Sequence, residues 1–146
     1  MKNWFFVIGI ALFFVILIGF FVIPKGNSVC VNGNCIEVEL ALNQTQREKG
    51  LMDRESLESN KGMLFVFEKE DIHPFWMNGT LFPLDMVWVA RNGTVVDIME
   101  NAQPCVYPNC LGIFTTRNAT YVIEINANKT RELGINVGTQ LEINLN

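Results

Sequence analysis

Twenty consecutive residues near the start of the chain, Trp4 to Ile23, carry neither a charge nor a polar side chain. As a helix this stretch would be about 30 Å long, which matches the hydrocarbon core of a bilayer. A cleavable signal peptide would have a shorter apolar region and a small-residue cleavage motif, whereas this run ends at Pro24-Lys25-Gly26. We therefore predict a retained transmembrane signal-anchor over residues 1–24, which contacts the membrane through residues 4–23; cleavage after export is the alternative.

The rest of the chain is mildly acidic. Residues 24–146 contain all 15 acidic residues and 10 of the 11 basic ones, which gives this part a net charge of −5. Domains that bind nucleic acid need a basic surface, because contacts to phosphate supply much of their affinity. The composition therefore predicts no nucleic-acid partner.

Asparagine-x-threonine triplets are more frequent than the composition explains. With 16 Asn and 11 Ser plus Thr in 146 residues, about one triplet is expected by chance. Such triplets are acceptors for N-glycosylation in exported proteins, although Asn and Thr are also common in turns and strands. The pattern predicts a single-pass protein of the cell membrane whose C-terminal domain is extracytoplasmic. The five candidate glycosylation sites are Asn43, Asn78, Asn92, Asn118 and Asn128.

Four cysteines form two pairs with the same spacing. Cys30 and Cys35 flank an Asn-Gly dipeptide, which is typical of a type I′ hairpin turn, at a position where antiparallel strands approach closely. Cys105 and Cys110 flank a Pro-Asn dipeptide that would also turn the chain. We expect two local disulfides, with residues 25–35 forming a linker and the first disulfide hairpin. Free thiols and a four-thiolate metal site are the alternatives.

Beyond residue 35, apolar and polar residues mostly alternate, as they do in half-buried strands. Strands are predicted at residues 36–42, 63–67, 85–90, 94–99, 121–125 and 140–145, with an acidic turn at 68–71. Asn92-Gly93 is typical of a hairpin turn between the strands at 85–90 and 94–99. A short helix is expected after Thr45, where Glu48 would complete a capping box, and it would end at Gly50; a helical turn at 129–133 would end at Gly134. Many short strands with few helices predict a mostly β domain over residues 36–146, either a β-sandwich or a small barrel with one or two short helices.

Four blocks of this domain stand out, in chain order. They are Gly50-Leu51-Met52-Asp53-Arg54, Gly62–Phe67, Phe75–Asp85, and Tyr121–Ile125 with Gly134-Ile135 and Val137-Gly138. Together they resemble the domain-of-unknown-function family numbered 192, over about residues 36–145. The resemblance implies a compact β-rich fold that is often exported or tethered to a membrane, without an established reaction. The family usually has Lys-Asn-Thr where this chain has Asn-Gly-Thr at 78–80.

Charged and aromatic residues of these blocks are the candidates for a functional site. Asp85 precedes four apolar residues, so its carboxylate needs a partner, and the guanidinium of Arg54 could bind it with two hydrogen bonds. This ion pair would either bind a ligand or have a purely structural role. Glu124 either faces solvent or lies near Asp85 as the second member of an acid–base pair. Tryptophans at 76 and 88 either offer a stacking platform or pack in the core.

The sequence predicts a pocket between residues 50–62 and 75–85, and it contains no motif for a metal or a cofactor. The leading hypothesis is a non-enzymatic, membrane-tethered domain that binds a glycan, a small polar molecule or an envelope protein. One alternative is a hydrolase or transferase that uses Asp85 and Glu124 as acid and base. Another is an accessory subunit of a membrane assembly. The candidate ligand-binding residues are Arg54, Trp76, Thr80, Asp85 and Glu124.

Overall fold

The computed structural model describes residues 26–146, which form seven strands and two short helices. The mostly β class with two short helices is therefore confirmed. In chain order the elements are β1 Ser28–Val31, β2 Asn34–Ala41, α1 Gln44–Lys49, β3 Lys61–Asp71, β4 Leu84–Val89, β5 Val95–Ala102, β6 Ala119–Asn126, α2 Lys129–Leu133 and β7 Glu142–Asn144.

The seven strands of the described residues belong to one sheet, in the order β5-β4-β6-β3-β2-β1-β7. Neighbouring strands are antiparallel except β2 and β3, which run parallel with Ala41 opposite Phe65. A parallel pair needs a crossover connection, and α1 with residues 50–60 provides it over one face of the sheet. The two hairpins predicted from their Asn-Gly turns, β1–β2 and β4–β5, are confirmed.

The two ends of the sheet meet next to β5. An isolated bridge pairs Thr94 with Gln140. The Val95 N–H donates to the Thr139 carbonyl at 2.9 Å, and the Leu141 N–H donates to the Gly93 carbonyl at 2.9 Å. The sheet is thus a half-barrel that is partly closed on itself. The predicted alternative of a β-sandwich is wrong, because the strands form one curled sheet and not two stacked ones.

Both faces of the central strands are buried, and alternate residues belong to different cores. Every residue of β4 is buried. Val87 and Val89 pack in the core enclosed by the half-barrel, whereas Met86 and Trp88 pack in a second core on the outer face. That outer core also contains residues of the segments 50–60, 72–83 and 103–118, so the long connections add a layer over this face of the sheet.

Two local predictions need correction. Helix α1 is capped by Asn43, whose side chain accepts a hydrogen bond from the Gln46 N–H, while the Gln46 side chain accepts one from the Asn43 N–H. The predicted cap at Thr45 is therefore two residues late, because both Asn-x-x-Gln and Thr-x-x-Glu satisfy the same pattern. Residues 68–71 form no acidic turn, since β3 continues to Asp71.

Both predicted cysteine pairs lie at disulfide distance. Cys30 is directly opposite Cys35 in the β1–β2 register, and their Cα atoms are 4.0 Å apart. The Cα atoms of Cys105 and Cys110 are 5.1 Å apart. The first pair lies inside the sheet, because β1 is hydrogen-bonded to both β2 and β7. The hairpin of β1 and β2 is thus an integral part of the half-barrel.

The predicted signal-anchor at residues 1–24 lies outside the described residues. Within residues 26–146, neither helix is long and apolar enough to cross a membrane.

Candidate functional site

Arg54 does not contact Asp85, so the predicted ion pair between them is wrong. Its guanidinium binds Glu39 of β2 with two hydrogen bonds, of 2.6 and 2.8 Å. These bonds hold the pKa of the Glu39 carboxyl below its usual range and raise the pKa of Arg54. Sequence reasoning missed this partner because Glu39 looks like any solvent-facing residue of an alternating strand.

Asp85 is fully buried and has three hydrogen-bond donors of its own. Its carboxylate accepts the Asn101 N–H at 2.8 Å, the Thr130 N–H at 2.9 Å and the Thr130 hydroxyl at 2.6 Å. The interaction joins the start of β4 to the end of β5 and to the first turn of α2. The carboxylate of Asp85 is therefore committed to holding these elements together.

Glu124 lies on the opposite face of the sheet from Asp85. In the β4–β6 register Asp85 is opposite Ile125, whereas Glu124 is opposite Met86, one step along both strands. Because successive side chains of a strand point to opposite faces, the two carboxylates are separated by the sheet. The structure does not bring them together as an acid and a base.

A cleft on the outer face collects the remaining candidates. It runs between the C-terminal end of α1 and the segment 75–80. Three of the five candidate residues, Trp76, Thr80 and Glu124, line it, whereas Arg54 and Asp85 do not. Its inner end has a volume of about 20 Å³, enough for one water-sized group. The other residues of the inner end are Arg47, Glu48, Lys49, Gly50, Leu51, Met52, Phe65 and Phe75.

Glu124 forms the polar floor of this cleft. The residue is 5% exposed, and a Cβ atom added to Gly50 would lie 3.8 Å from its Oε2 atom. Burial raises the pKa of Glu124 to about 8, and within residues 26–146 no hydrogen bond offsets that burial. At neutral pH the side chain is therefore mostly a neutral carboxylic acid, which can both donate and accept a hydrogen bond.

The two tryptophans have different roles. Trp88 is 1% exposed and packs in the outer core, where its indole N–H donates to the His73 carbonyl at 2.9 Å. Trp76 is 50% exposed at the rim of the cleft. Of these two tryptophans, Trp76 is therefore the one that presents an aromatic surface to a ligand in the cleft.

The outer end of the cleft is wider and involves Arg47, which sequence reasoning did not single out. This part has a volume of about 270 Å³ and is lined by α1, Phe67 and the segment 74–76. The Arg47 guanidinium lies 5.1 Å from the centre of the Phe67 ring and donates to the Leu42 carbonyl at 2.7 Å. A basic residue in a short helix is ordinarily a surface residue, so no local signal marked it.

Metal binding finds no support in the geometry. Among residues 26–146, no three His, Cys, Asp or Glu side chains lie close enough together to hold an ion.

The fold and the cleft define a class: a small half-barrel domain in which a buried carboxylic acid lies beneath an aromatic rim. The chain belongs to the DUF192 family, described as an uncharacterized ACR, which matches residues 27–143. This agrees with the resemblance seen in the sequence blocks and extends it to the first hairpin. No curated protein matches the chain significantly.

Two solved structures are similar along most of their length. One is a protein of Sinorhizobium meliloti described as a candidate transcription regulator, at 35% identity and a TM-score of 0.72, covering 80% of this chain and 91% of that one. The other is a protein of unknown function from Novosphingobium aromaticivorans, at 30% identity and a TM-score of 0.72, covering 80% and 82%. Neither description assigns a ligand.

Proposed function

We propose that this protein is a membrane-tethered, extracytoplasmic binding domain whose cleft on the outer face takes a neutral sugar unit of a glycan, with the ring in the wider part of the cleft beside Trp76 and a single hydroxyl in the water-sized inner end. The observation that carries the proposal is the convergence of three different groups on one cleft: the half-exposed ring of Trp76, the buried hydroxyl of Thr80 and the buried carboxylic acid of Glu124. They come from two separate segments of the chain.

The chemistry of these groups fits a sugar. An indole face offers an apolar surface for the C–H face of a pyranose ring, and a hydroxyl and a neutral carboxylic acid can each donate to and accept from sugar hydroxyls. A neutral Glu124 at the floor of the cleft also favours an uncharged ligand over an anion or a cation, because its side chain carries no charge that would balance an ionic group. Ligand pockets commonly combine apolar walls with a few such polar groups.

An acid–base enzyme that uses Asp85 and Glu124 is less well supported. Such an enzyme needs both carboxyl groups in one cleft, and here the sheet lies between them. Glu124 has the raised pKa that a general acid would have. Asp85 does not line the cleft, and Glu48, the other carboxylate that does, is an exposed helix residue that accepts a hydrogen bond from the Gln44 side chain. We therefore favour binding over hydrolysis or group transfer.

A nucleic-acid ligand is also poorly supported, although the Sinorhizobium meliloti relative is described as a candidate transcription regulator. The net charge of −5 over residues 24–146 would repel a phosphate backbone.

The location is proposed from the apolar run at residues 4–23, the two cysteine pairs and the Asn-x-Thr triplets. Four of the five asparagines are exposed, and Asn78 is half-buried because its side chain accepts the Tyr107 N–H. Disulfides persist in oxidising compartments, which agrees with a domain outside the cytoplasm.

The expected result is that the full chain stays with the membrane through an alkaline wash and that protease added to intact cells digests the domain. Release by the wash, or protection from protease, would contradict this location.

Binding can be tested on the full chain in lipid nanodiscs by NMR of the tryptophan indole N–H groups. We expect the Trp76 signal to shift and saturate with at least one of a panel of neutral sugars: N-acetylglucosamine and the methyl glycosides of glucose, galactose and mannose. The Trp88 indole is already hydrogen-bonded in the core, so it serves as the internal control and should not move.

Variants make the test specific to the cleft. Ligand-observed NMR on the sugar protons should lose its signal with Trp76→Ala and with Glu124→Met. Leu81→Ala is the matched control, because Leu81 is 59% exposed yet does not line the cleft. If no sugar of the panel shifts Trp76, or if Leu81→Ala abolishes binding as fully as Trp76→Ala, the proposed sugar site is refuted.

A further inference from the structure

The connection between β5 and β6 contains a long uncharged stretch. Residues 101–116 carry no charged side chain, and Glu100 and Arg117 delimit them. We call residues 103–118, which join the two strands, the cysteine loop. A surface connection of this length normally includes charges, since it faces water.

Four apolar side chains of the cysteine loop project into solvent. They are the four most exposed large hydrophobic residues of the part of the chain that the structure describes, and they lie within nine positions of one another. Exposed apolar residues that occur singly are ordinary, whereas a cluster of them marks a surface that contacts something apolar. The residues are Val106 at 75%, Tyr107 at 78%, Leu111 at 85% and Phe114 at 74% exposed.

The loop is held in place, so this exposure is a property of its structure. Cys105 and Cys110 lie at disulfide distance across its tip. Ile113 exchanges two backbone hydrogen bonds with Phe75, of 2.9 and 2.7 Å, and the Tyr107 N–H donates to the Asn78 side chain at 3.1 Å. The apolar side chains are therefore presented on a fixed backbone, and they keep that arrangement when they meet a partner.

We propose that the cysteine loop inserts into the interface of the lipid bilayer that anchors the protein. This rests on the membrane tether put forward above. Only Pro24 to Asn27 separate the apolar run from β1, so Ser28 lies less than about 20 Å from the end of that run at full extension. A domain on so short a tether is held against the headgroups, where aromatic and aliphatic side chains without nearby charge partition favourably.

The test uses brominated lipid as a quencher of tryptophan fluorescence. The full chain is placed in phosphatidylcholine vesicles with or without bromines on the upper acyl chain, and emission is compared for the wild type, Leu111→Trp and Val137→Trp. Val137 is the matched control because it is also exposed, at 63%, but lies outside the cysteine loop. We expect the emission added by Leu111→Trp to fall at least twofold in brominated vesicles and that added by Val137→Trp to stay unchanged. Val106→Trp gives a second reading from the same loop.

Trp4 separates failure of the insertion from failure of the tether. The part of the wild-type emission that is lost in Trp4→Phe is the emission of Trp4. Brominated lipid should quench this part if the N-terminal run enters lipid. Quenching of Trp4 without quenching of Leu111→Trp overturns loop insertion and leaves the tether standing. A blue-shifted but unquenched Leu111→Trp signal also overturns it, since the loop would then contact protein. If Trp4 is not quenched either, the tether itself fails and the inference falls with it.

Discussion

Glu124 and Asp85 lie one step apart on neighbouring strands, yet their surroundings differ completely. Asp85 accepts three hydrogen bonds, whereas within residues 26–146 no hydrogen bond compensates for the burial of the Glu124 carboxyl. A buried carboxyl group that lacks donors keeps its proton, because the charged form loses its hydration. The side of the sheet on which each residue lies thus decides its chemistry.

The first prediction concerns pH and Glu124. The pKa is about 8 in the folded state, against an ordinary 4.5 when unfolded. Between these values the unfolded chain releases a proton that the folded chain retains, so stability falls as pH rises, by about 1.4 kcal/mol per pH unit.

Glu124→Gln removes this dependence of stability on pH. We expect the variant and the wild type to be similarly stable at pH 4.5 and the variant to be more stable by a few kcal/mol at pH 8.5, measured by urea unfolding. Parallel pH profiles for the two proteins would show that the carboxyl is not buried as described.

The second prediction is that Asp85→Asn lowers the free energy of unfolding by about 3 kcal/mol at pH 7. The amide NH2 group would face donors that now bind a carboxylate, and one of them would lose its acceptor. Glu39→Gln is the control, because it weakens only the exposed pair with Arg54 and should cost less than about 1 kcal/mol. Equal losses in the two variants would remove the structural role assigned to Asp85. Replacement of a carboxyl group by an amide should therefore destabilise the folded protein at position 85. At position 124 the same replacement should stabilise it when the pH is alkaline.

Residue identities alone could identify the cleft only in part. Trp76, Thr80 and Glu124 were predicted to line it and do, because they lie in blocks with unusual combinations of aromatic and polar residues. The partner of Arg54 could not be predicted, since Glu39 is brought to it by the crossover of residues 50–60 above β2. The burial of Glu124 likewise involves Gly50 and the end of α1, which line the cleft with it, and strand alternation does not show this.

The threonines of the Asn-x-Thr triplets also have structural roles. Thr80 is buried in the cleft, Thr120 donates to Glu70 at 3.0 Å, and Thr130 donates to Asp85. The enrichment in these triplets therefore has a partly structural cause that no count of residues could reveal.

At the scale of the elements, turns were the most predictable feature. Asn-Gly dipeptides located both hairpins, and glycines located the ends of α1 and α2, at Gly50 and Gly134. These features depend on a few adjacent residues and a positive φ, so the sequence contains the necessary information. The start of α1 was misplaced, since two overlapping capping patterns both fit the sequence and the structure uses the one that begins at Asn43.

The third prediction separates the two candidate caps of α1. Asn43→Ala removes the side chain that accepts the Gln46 N–H, and it should cost about 1 kcal/mol of unfolding free energy. Thr45→Ala is closely matched, because it abolishes the same Asn-x-Thr triplet and leaves the cap intact. Since Ala has a higher helix propensity than Thr, this variant should be as stable as the wild type or more stable by a few tenths of a kcal/mol. Chemical unfolding of both variants measures the difference. A larger loss for Thr45→Ala would return the cap to the position that the sequence first indicated.

At the scale of the whole molecule, alternation predicted the β class but not the closure of the sheet. Thr94 and Gln140 are 46 positions apart, and their bridge joins the two ends of the strand order. No periodicity along one strand specifies which distant segment it will meet, so sandwich and barrel could not be distinguished from the sequence. The two cores follow from this closure, because curling encloses one face while the long connections cover the other.

The last prediction tests that closure through Gly93. This residue has φ +86°, and an added Cβ atom would lie 2.5 Å from the Leu141 carbonyl oxygen and 2.6 Å from the Gln140 side-chain nitrogen. Gly134 has φ +68° with no atom within 4 Å of such a Cβ, so Gly134→Ala measures the backbone cost alone, about 1 kcal/mol. Gly93→Ala has a similar backbone cost and must also displace residues 140–141. We therefore expect it to be less stable than Gly134→Ala by about 2 kcal/mol.

Amide hydrogen exchange on the same two variants would locate the loss. In Gly93→Ala the amides of Val95 and Leu141, which bond across the closure, should exchange faster, whereas those in the centre of β3 and β6 should keep their protection, because local opening leaves the remaining sheet paired. Gly134→Ala should leave the closure amides protected. If the two variants are equally stable and exchange alike, the ends of the sheet do not depend on each other, and the half-barrel is held by its strands alone.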